Sequence, residues 1–453
     1  MRFFYPQAIC RATVVFQLSR TSDATRTTTF TVPVRSMELE RNDFNTPDTC
    51  TVKIDAVRMP ALPRMIRDVL IQVHFGDGLS IDSPDMLVAG DDFARFIGYV
   101  DAPSLELGAD DGVIEWKARD YTALILAVKH PGLDIIPTYA DRLDTALRRI
   151  LDAVPGGANI GLQLVGADTW PTIGIGAPAT LKDARLPIRP EDTAWHLIKR
   201  ACDPVSLIPQ IKLDKLVVSS SRGLRAVTSQ AVFVYGANLK NYHETRHLDR
   251  VREGVGLRAY SVADRAFITA QWPPEGDQSV LTKRTKVAAK KNAKPKPPID
   301  SKEKRAWFPY MPVGDAAQLL AAAKGLYDLR RFQEFEGSFD CARMVVPDAV
   351  SDFEFDGEDS FDVTAISNGD RIIVDVLPEQ RNILIGLAST EDRVNYMMDR
   401  GHEADVASAL VEQYEKGCEN PLEVYVRKAR FHLDATGGFG LHVEFENLIG
   451  GEG

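Results

Sequence analysis

Short segments rich in valine, isoleucine, threonine and phenylalanine follow one another at regular spacing over the first 118 residues. They cover residues 8–16, 28–34, 50–56, 69–75, 93–100 and 113–118. Turn-forming residues separate them, such as Gly76-Asp77-Gly78 after the fourth segment. β-Branched and aromatic residues in this arrangement are typical of an antiparallel barrel or sandwich. The sequence therefore predicts a first β-barrel domain over residues 1–122.

The middle of the chain changes to helical periodicity, with apolar residues three and four positions apart. The predicted elements are helices at 141–154 and after Pro190, followed by strands at 210–213 and 215–219. Pro155-Gly156-Gly157 ends the first helix, because proline and glycine interrupt helical hydrogen bonding. This part predicts a small α/β lobe over residues 123–230.

Strand-like sequence returns in the last part of the chain. The predicted strands are 231–235, 254–272, 332–343, 360–366, 370–377, 422–433 and 441–448, with helices at 315–331 and 404–416. They predict a second β-barrel domain at 231–395 and a C-terminal helix with closing strands at 396–453. The predicted fold class is β-rich α+β, with two antiparallel β-barrel domains and the α/β lobe between them.

A basic stretch interrupts the predicted second barrel. Residues 283–296 hold seven lysines and arginines and no acidic residue, and prolines follow. Such a composition cannot bury a core, so it predicts a flexible basic loop over residues 283–305. Two functional alternatives remain for it: contact with nucleic acid or anionic lipid, and docking against a neighbouring subunit.

The bulk composition narrows the function classes. The net charge is −10, which disfavours a surface that grips nucleic acid. Five cysteines occur without a CxxC pair, which excludes a zinc ribbon and a dense disulfide framework and predicts buried free thiols. No run of 18 apolar residues occurs and no secretory signal is evident, so we expect folding in a cytoplasm.

The sharpest catalytic candidate is His243-Glu244-Thr245-Arg246-His247, which fits the H-E-x-x-H pattern. On a helix this spacing places two imidazoles on one face to hold zinc, with the glutamate as general base. A fixed cation, Arg246, lies inside the motif, and strand-like sequence resumes soon after it. We expect a polar connection here, and keep a zinc-dependent peptidase or another hydrolase as the alternative.

Two further segments imitate ligand sites. The acidic stretch 352–362 approaches a calcium loop, but the twelfth position is Val363 and no flanking helices are evident. A hairpin turn at Asp356-Gly357 explains it better. Residues 174–179 imitate a dinucleotide fingerprint, yet Pro178 stands where the phosphate-binding helix would begin. The sequence predicts no catalytic, cofactor-binding or metal residues, and no cofactor.

Several phrases, in order along the chain, resemble the phage tail hub or baseplate hub family. They are Phe96-Ile-Gly-Tyr-Val-Asp101, Glu115-Trp-Lys-Ala-Arg-Asp120, Pro190-Glu-Asp-Thr-Ala-Trp195, Gly236-Ala-Asn238 and Asn368-Gly-Asp-Arg-Ile372. Phe335-Glu-Gly-Ser-Phe339 lies in the second β-rich part at a place comparable to that of the first phrase. The basic loop departs from the family's pattern.

The resemblance implies a virion structural protein of the tail tip or baseplate, similar to the hub part of VgrG and without enzymatic activity. It implies a homotrimer whose two barrels per chain form a pseudo-sixfold ring. Its implied partners are tail tube or distal tail proteins above, a spike or central fibre below, and a tape measure protein. DNA would pass through the lumen without specific binding during genome ejection. A surface- or carbohydrate-binding module is a third alternative.

Overall fold

The computed structural model of this chain is dominated by β-strands. It describes residues 7–17, 25–43, 46–60, 66–76, 93–107, 112–129, 135–174, 183–186, 188–189, 191–205, 207–220, 231–247, 254–261, 266–272, 305–309, 316, 319–320, 323–324, 334–347, 360–376, 390–399, 401, 403–415, 422–434 and 438–446. Among these residues, no helix is both long and apolar enough to cross a bilayer.

In the part of the first β-rich region that the structure describes, seven antiparallel strands are present. They are β1 (Gln7–Gln17), β2 (Thr25–Pro33), β3 (Ser36–Arg41), β4 (Thr49–Asp55), β5 (Ile66–Gly76), β6 (Ala94–Leu107) and β7 (Gly112–Arg119). Buried residues alternate along each strand, as Cys10, Ala12 and Val14 do on β1, because successive side chains point to opposite faces. The six predicted strands are confirmed, and β3 is an addition.

The small lobe has its own hydrophobic core. Its elements are α1 (Tyr121–Ala127), α2 (Leu143–Asp152), β8 (Gly161–Val165), α3 (Ala194–Cys202), β9 (Leu207–Lys212) and β10 (Lys215–Ser220). Central β10 pairs in parallel with β8 and antiparallel with β9. Leu70 and Ile97 from β5 and β6 pack against this core, which fixes the lobe to the first β-rich part.

In the described residues, the last part of the chain adds strands and the helices α4 and α5. They are β11 (Ala231–Val234), β12 (Leu239–His247), β13 (Gly254–Ser261), β14 (Ala266–Trp272), β15 (Arg305–Pro309), β16 (Glu334–Cys341), β17 (Val345–Pro347), β18 (Ser360–Asp362), β19 (Arg371–Asp375), α4 (Thr390–Asp399), α5 (Ala404–Glu415), β20 (Leu422–Asp434) and β21 (Gly438–Glu446).

Strands β13, β14 and β15 form a separate sheet, here called the insert sheet, in the order β14-β13-β15. Val255, Leu257 and Ala259 on one face of β13 pack against Leu319 and Ala323. Both of these partners are helical, within the predicted helix 315–331. The insert sheet therefore has a small core of its own, apart from that of the main sheet.

One continuous sheet joins the two β-rich parts. Its strands follow the order β12-β16-β21-β20-β3-β4-β7-β6-β5-β1-β2, with β19 and β11 branching from β20. Strand β20 pairs antiparallel with β3, and Leu433 lies opposite Met37. A single hydrophobic core contains buried residues from both parts, including Phe75 and Phe431, whose ring centroids are 6.2 Å apart. The two parts therefore share one core.

Three sequence predictions differ from the structure. The two predicted barrels are one shared sheet in the described residues, where no closed barrel is found. The strand predicted at 360–366 ends at Asp362, because the Asp362 carboxylate accepts from the Thr364 amide and starts a 3-10 turn. The strand predicted at 254–272 is two strands, β13 and β14.

Candidate functional site: the junction of the two β-rich parts

The first hub-like phrase lies on β6, where Gly98 allows an unusually close approach between strands. A side-chain Cβ at Gly98 would lie 2.4 Å from the carbonyl oxygen of Arg119 on β7 and 2.6 Å from the Phe96 ring. The register between β6 and β7 shifts between Val100 and Ala102, directly after this contact. Only glycine fits here without moving the backbone.

Asp101 and Asp120, the last residues of the first two hub-like phrases, shape the chain from β6 to α1. Asp101 is the residue left over at the register shift, and its carboxylate accepts two hydrogen bonds from Arg119 (2.5 and 2.9 Å). Asp120 then caps α1, because its carboxylate accepts from the Thr122 amide at 3.1 Å. The sequence between Gly98 and Asp120 therefore encodes a strand, a bulge and a strand-to-helix step.

The phrase in the second β-rich part repeats this local geometry. A Cβ at Gly337 on β16 would lie 2.3 Å from the carbonyl oxygen of His243 on β12 and 2.5 Å from the Phe445 ring. The register between β12 and β16 also shifts, between Lys240 and His243. The facing strand follows Gly98 in the chain but precedes Gly337, so the likeness is local.

Arg41 is the central side chain where the two parts meet. It ends β3 and is 6% exposed. Its guanidinium donates to the carbonyl oxygens of Ala365 (3.2 Å) and Ile366 in the second part, and of Arg95 (3.0 Å) in the first. The same group lies 5.4 Å from the centre of the Phe431 ring. Burial lowers the pKa of Arg41 to about 10, which leaves it charged at neutral pH.

A second arginine crosses the same boundary. Arg95 on β6 donates from Nε to the Thr364 hydroxyl (2.9 Å) and from Nη2 to the Asp362 carboxylate (3.3 Å). The Thr364 hydroxyl in turn donates to the Phe75 carbonyl oxygen at 3.2 Å. Paired charges with satisfied hydrogen bonds tolerate burial, whereas removing one partner leaves the other costly. Arg41 and Arg95 both belong to the first β-rich part, and both donate hydrogen bonds to residues of the second part.

The hub-like turn at Asn368-Gly369 touches all three parts of the molecule. Asn368 donates from Nδ2 to the Asn42 carbonyl oxygen at 2.6 Å, and its own carbonyl accepts from Gln210 of the lobe at 3.2 Å. Gly369 has φ +82°, a left-handed conformation that glycine adopts without strain. Asp370 faces Lys212 of the lobe at 3.5 Å. The turn therefore links the lobe to both β-rich parts.

Two carboxyl groups lie close together beneath this turn. The Asp48 carboxylate accepts from the Asn42 amide at 2.8 Å, and the Asp48 carbonyl accepts from the Asp120 amide at 3.0 Å. Burial raises the pKa of Asp48 to about 6. Burial and the neighbouring Asp48 raise the pKa of Asp120 well above its usual range. Both groups favour the protonated form more than exposed aspartates do.

A row of polar residues, most of them ionisable, crosses the outer face of the shared sheet in continuous register. The row runs Lys240, Asp340, His442, Arg430, Glu40, Thr49 and Arg119. His442 lies 2.7 Å from Asp340, and Arg430 lies 2.7 Å from Glu40. Burial raises the pKa of Glu40, but hydrogen bonds from Lys428 and Arg430 outweigh it and lower that pKa overall. The ion pairs of Glu40 with Lys428 and Arg430 cross the β20–β3 boundary.

The H-E-x-x-H pattern lies on strand β12, which the sequence did not predict. Four residues of extended chain separate the backbones of His243 and His247 by about 13 Å, too far for both to bind one ion. His243 is exposed, and Glu244 accepts from the Tyr242 hydroxyl at 2.6 Å. The helical geometry that the zinc peptidase alternative required is therefore wrong.

The remaining candidate segments lie largely outside the described residues. These are residues 283–304 of the basic loop, 352–359 of the acidic stretch and 175–179 of the dinucleotide-like stretch. Strand β18, which ends the acidic stretch, pairs antiparallel with β17, which precedes it, as a hairpin requires. The described residues contain no group of three or more potential metal ligands. Four buried thiols are free, as predicted: Cys10, Cys50, Cys202 and Cys341.

No protein-family model matches the sequence, and no curated protein matches it. Among solved structures, the chain is similar to a tail protein from Neisseria meningitidis MC58 (11% identity, TM-score 0.49, 96% of each chain). The chain resembles phage tail proteins over nearly its whole length. A 43 kDa tail protein of prophage MuSo2 from Shewanella oneidensis gives 10% identity and TM-score 0.48 over 97% of this chain and 98% of the other. The prophage tail protein gp18 from Listeria monocytogenes EGD-e gives 8% identity and TM-score 0.47 over 98% of this chain and 95% of the other.

Proposed function

We propose that the chain is a structural hub subunit of a phage tail tip, baseplate or related injection machine. Three copies form a pseudo-sixfold ring between a hexameric tail tube or distal tail protein above and a trimeric spike or central fibre below. A tape measure protein is a further neighbour. DNA leaves through the lumen, and the net charge of −10 favours passage without specific binding. The role is mechanical, and no residue is assigned to catalysis.

The repeated glycine step carries this proposal. Gly98 and Gly337 lie in different β-rich parts, and at each of them an added Cβ would clash with a neighbouring carbonyl oxygen beside a register shift. A ring with twice as many β-units as chains needs two comparable units in each chain. The shared sheet and the Arg41 contacts fix such units to each other, because rotation between them would expose buried charge.

The domain assignment belongs to the same proposal. The first unit spans residues 1–122, the lobe 123–230 and the second unit 231–395, with 396–453 completing the second unit. In this assignment the two units share one sheet, in which β3 of the first pairs with β20 of the second. The lobe then lies outside the ring wall, since it packs on β5 and β6 through Leu70 and Ile97.

Native mass spectrometry of the purified chain and electron microscopy of virions test the proposal together. We expect a three-copy assembly, and density for one ring of three at the distal end of the tail tube. A stable hexamer, a head-to-tail dimer, or absence of the chain from purified virions would overturn it. Metal analysis offers a separate check of the peptidase alternative, which requires stoichiometric zinc that His243→Ala abolishes.

A further inference from the structure

The outer face of the insert sheet exposes two aromatic side chains and an arginine. Phe267 is 68% exposed and Tyr260 37% exposed, and their ring centroids are 5.5 Å apart. They face each other across the β13–β14 register, and the Arg258 guanidinium lies 5.3 Å from the Phe267 ring. Aromatic residues and arginine are the residue types that dominate binding energy at protein interfaces. This face is built like the centre of an interface.

The insert is strongly basic in an otherwise acidic chain. Residues 254–331 have a net charge of +8, and the charged residues that the structure describes among them, Arg258, Arg305 and Lys324, are all basic. The rest of the chain holds 39 lysines and arginines against 57 aspartates and glutamates, a net charge of −18. Charge of opposite sign on two surfaces steers their association and fixes their orientation. Another copy of the same chain thus offers the complementary charge.

A second exposed surface on the same chain matches the insert sheet. The helix pair α4 and α5 spans residues 390–415, with seven acidic and two basic residues. Helix α4 has no fully buried residue among those that the structure describes. Met398 is 42% exposed and Val406 44% exposed, beside exposed Asp399 and Asp405. The pair combines apolar side chains with acidic ones.

Neither surface covers the other within one chain, because Phe267, Met398 and Val406 all remain exposed. We propose that the insert sheet of one copy docks through Phe267, Tyr260 and Arg258 onto the α4–α5 helix pair of the next copy. Two different patches make a head-to-tail contact, which closes into a ring when its rotation allows. The inference rests on the proposed ring, and it assigns the contact that closes it.

Single-stranded nucleic acid is the competing occupant of the insert sheet, since aromatic side chains beside basic residues also stack bases. The acidic, partly apolar helix pair on the same chain favours the protein contact. Two variants separate the possibilities. Phe267→Glu sets a carboxylate against the acidic helix pair, and Met398→Lys sets a cation against Arg258, at a helix C-terminus that tolerates lysine. Combined in one chain, the two substitutions place opposite charges face to face.

Sedimentation velocity over a concentration series measures the effect. We expect each single variant to weaken self-association about 30-fold, the effect of losing one interface hot spot. The double variant regains most of that loss, which a folding defect would not produce. Tyr235→Glu changes another exposed tyrosine, 53% exposed and outside both surfaces, and leaves assembly unchanged.

The outcomes separate this contact from the hub proposal. If the wild type forms a three-copy ring that Phe267→Glu leaves intact, the contact is wrong and the ring stands. If the wild type forms another closed oligomer that the single variants break and the double variant restores, the contact stands and the three-copy ring is wrong. A wild type that stays monomeric at all concentrations overturns the contact. So does oligothymidylate binding that Phe267→Glu abolishes while assembly persists.

Discussion

Alanine at Gly98 or Gly337 is expected to destabilise the protein, although alanine is normally the better residue in a strand. The added methyl group would lie 2.4 Å from the Arg119 carbonyl oxygen at Gly98 and 2.3 Å from the His243 carbonyl oxygen at Gly337. An ordinary contact is about 3.4 Å, so each strand pair must separate by about 1 Å at the cost of ladder hydrogen bonds.

The magnitude follows from three opposing contributions. Forced separation in a packed interior costs about 1–3 kcal/mol, and each weakened backbone hydrogen bond adds about 1 kcal/mol. Replacing glycine returns about 0.5–1 kcal/mol through the smaller entropy loss of alanine on folding. We therefore expect a net loss of about 2–4 kcal/mol in the free energy of unfolding at Gly98 and at Gly337.

Gly440→Ala is the matched control for both variants. Gly440 lies on β21 of the same sheet, and a Cβ there would meet nothing within 4 Å. Its substitution should stabilise the protein by about 0.5 kcal/mol, the opposite sign. Urea denaturation followed by tryptophan fluorescence measures all three. A Gly98→Ala or Gly337→Ala protein as stable as Gly440→Ala would refute the close-approach argument.

Other side chains give further predictions. Arg41→Met removes the donor from the carbonyl oxygens that Arg41 contacts, and should lower the free energy of unfolding by about 3–5 kcal/mol in the same urea assay. Arg35→Met is the control, because Arg35 forms an exposed ion pair with Asp55 at 3.5 Å, and it should lower the free energy of unfolding by under about 1 kcal/mol. Because the folded-state pKa values of Asp48 and Asp120 are raised, folding takes up protons, and the free energy of unfolding should increase as pH falls from 7 to 5. Asp120→Asn should flatten that increase in denaturation curves at each pH. Burial raises the pKa of the Cys10 thiol to about 12, so a thiol reagent should label it only after denaturation.

The order of β-rich, α/β and β-rich parts could be predicted because buried faces repeat with a period of two in strands and 3.6 in helices. The same rule failed at β3. Met37, Leu39 and Arg41 are its inward-facing residues, and an arginine at the third place hides the alternation. The sequence alone does not distinguish a buried arginine from an exposed one. Arg41, the central side chain of the junction, could therefore not be found from the sequence.

Strand β12 escaped prediction for a related reason. It lies at the end of the main sheet, with exposed Asn241, His243 and Thr245, so its composition is polar. Its apolar residues are Leu239, which is buried, and Tyr242, which stacks on Phe445 at 5.9 Å between centroids. Two apolar residues three positions apart do not give the alternation of a strand. The single sheet that spans both β-rich parts could not be predicted either. It depends on the pairing of β3 with β20, and nothing in the local sequence of either strand indicates its distant partner.

The pairing of β3 with β20 also has a consequence for folding during synthesis. Glu40 and its partner Arg430 are 390 positions apart in the chain. At about 5–20 residues per second, the ribosome delivers β20 roughly 20–80 s after β3. During that interval β3 presents an unpaired edge, which invites aggregation unless a chaperone shields it. A chain that ends before residue 422 lacks β20 and leaves β3 unpaired on one edge. Truncated copies therefore lack the complete sheet that we expect assembly to require.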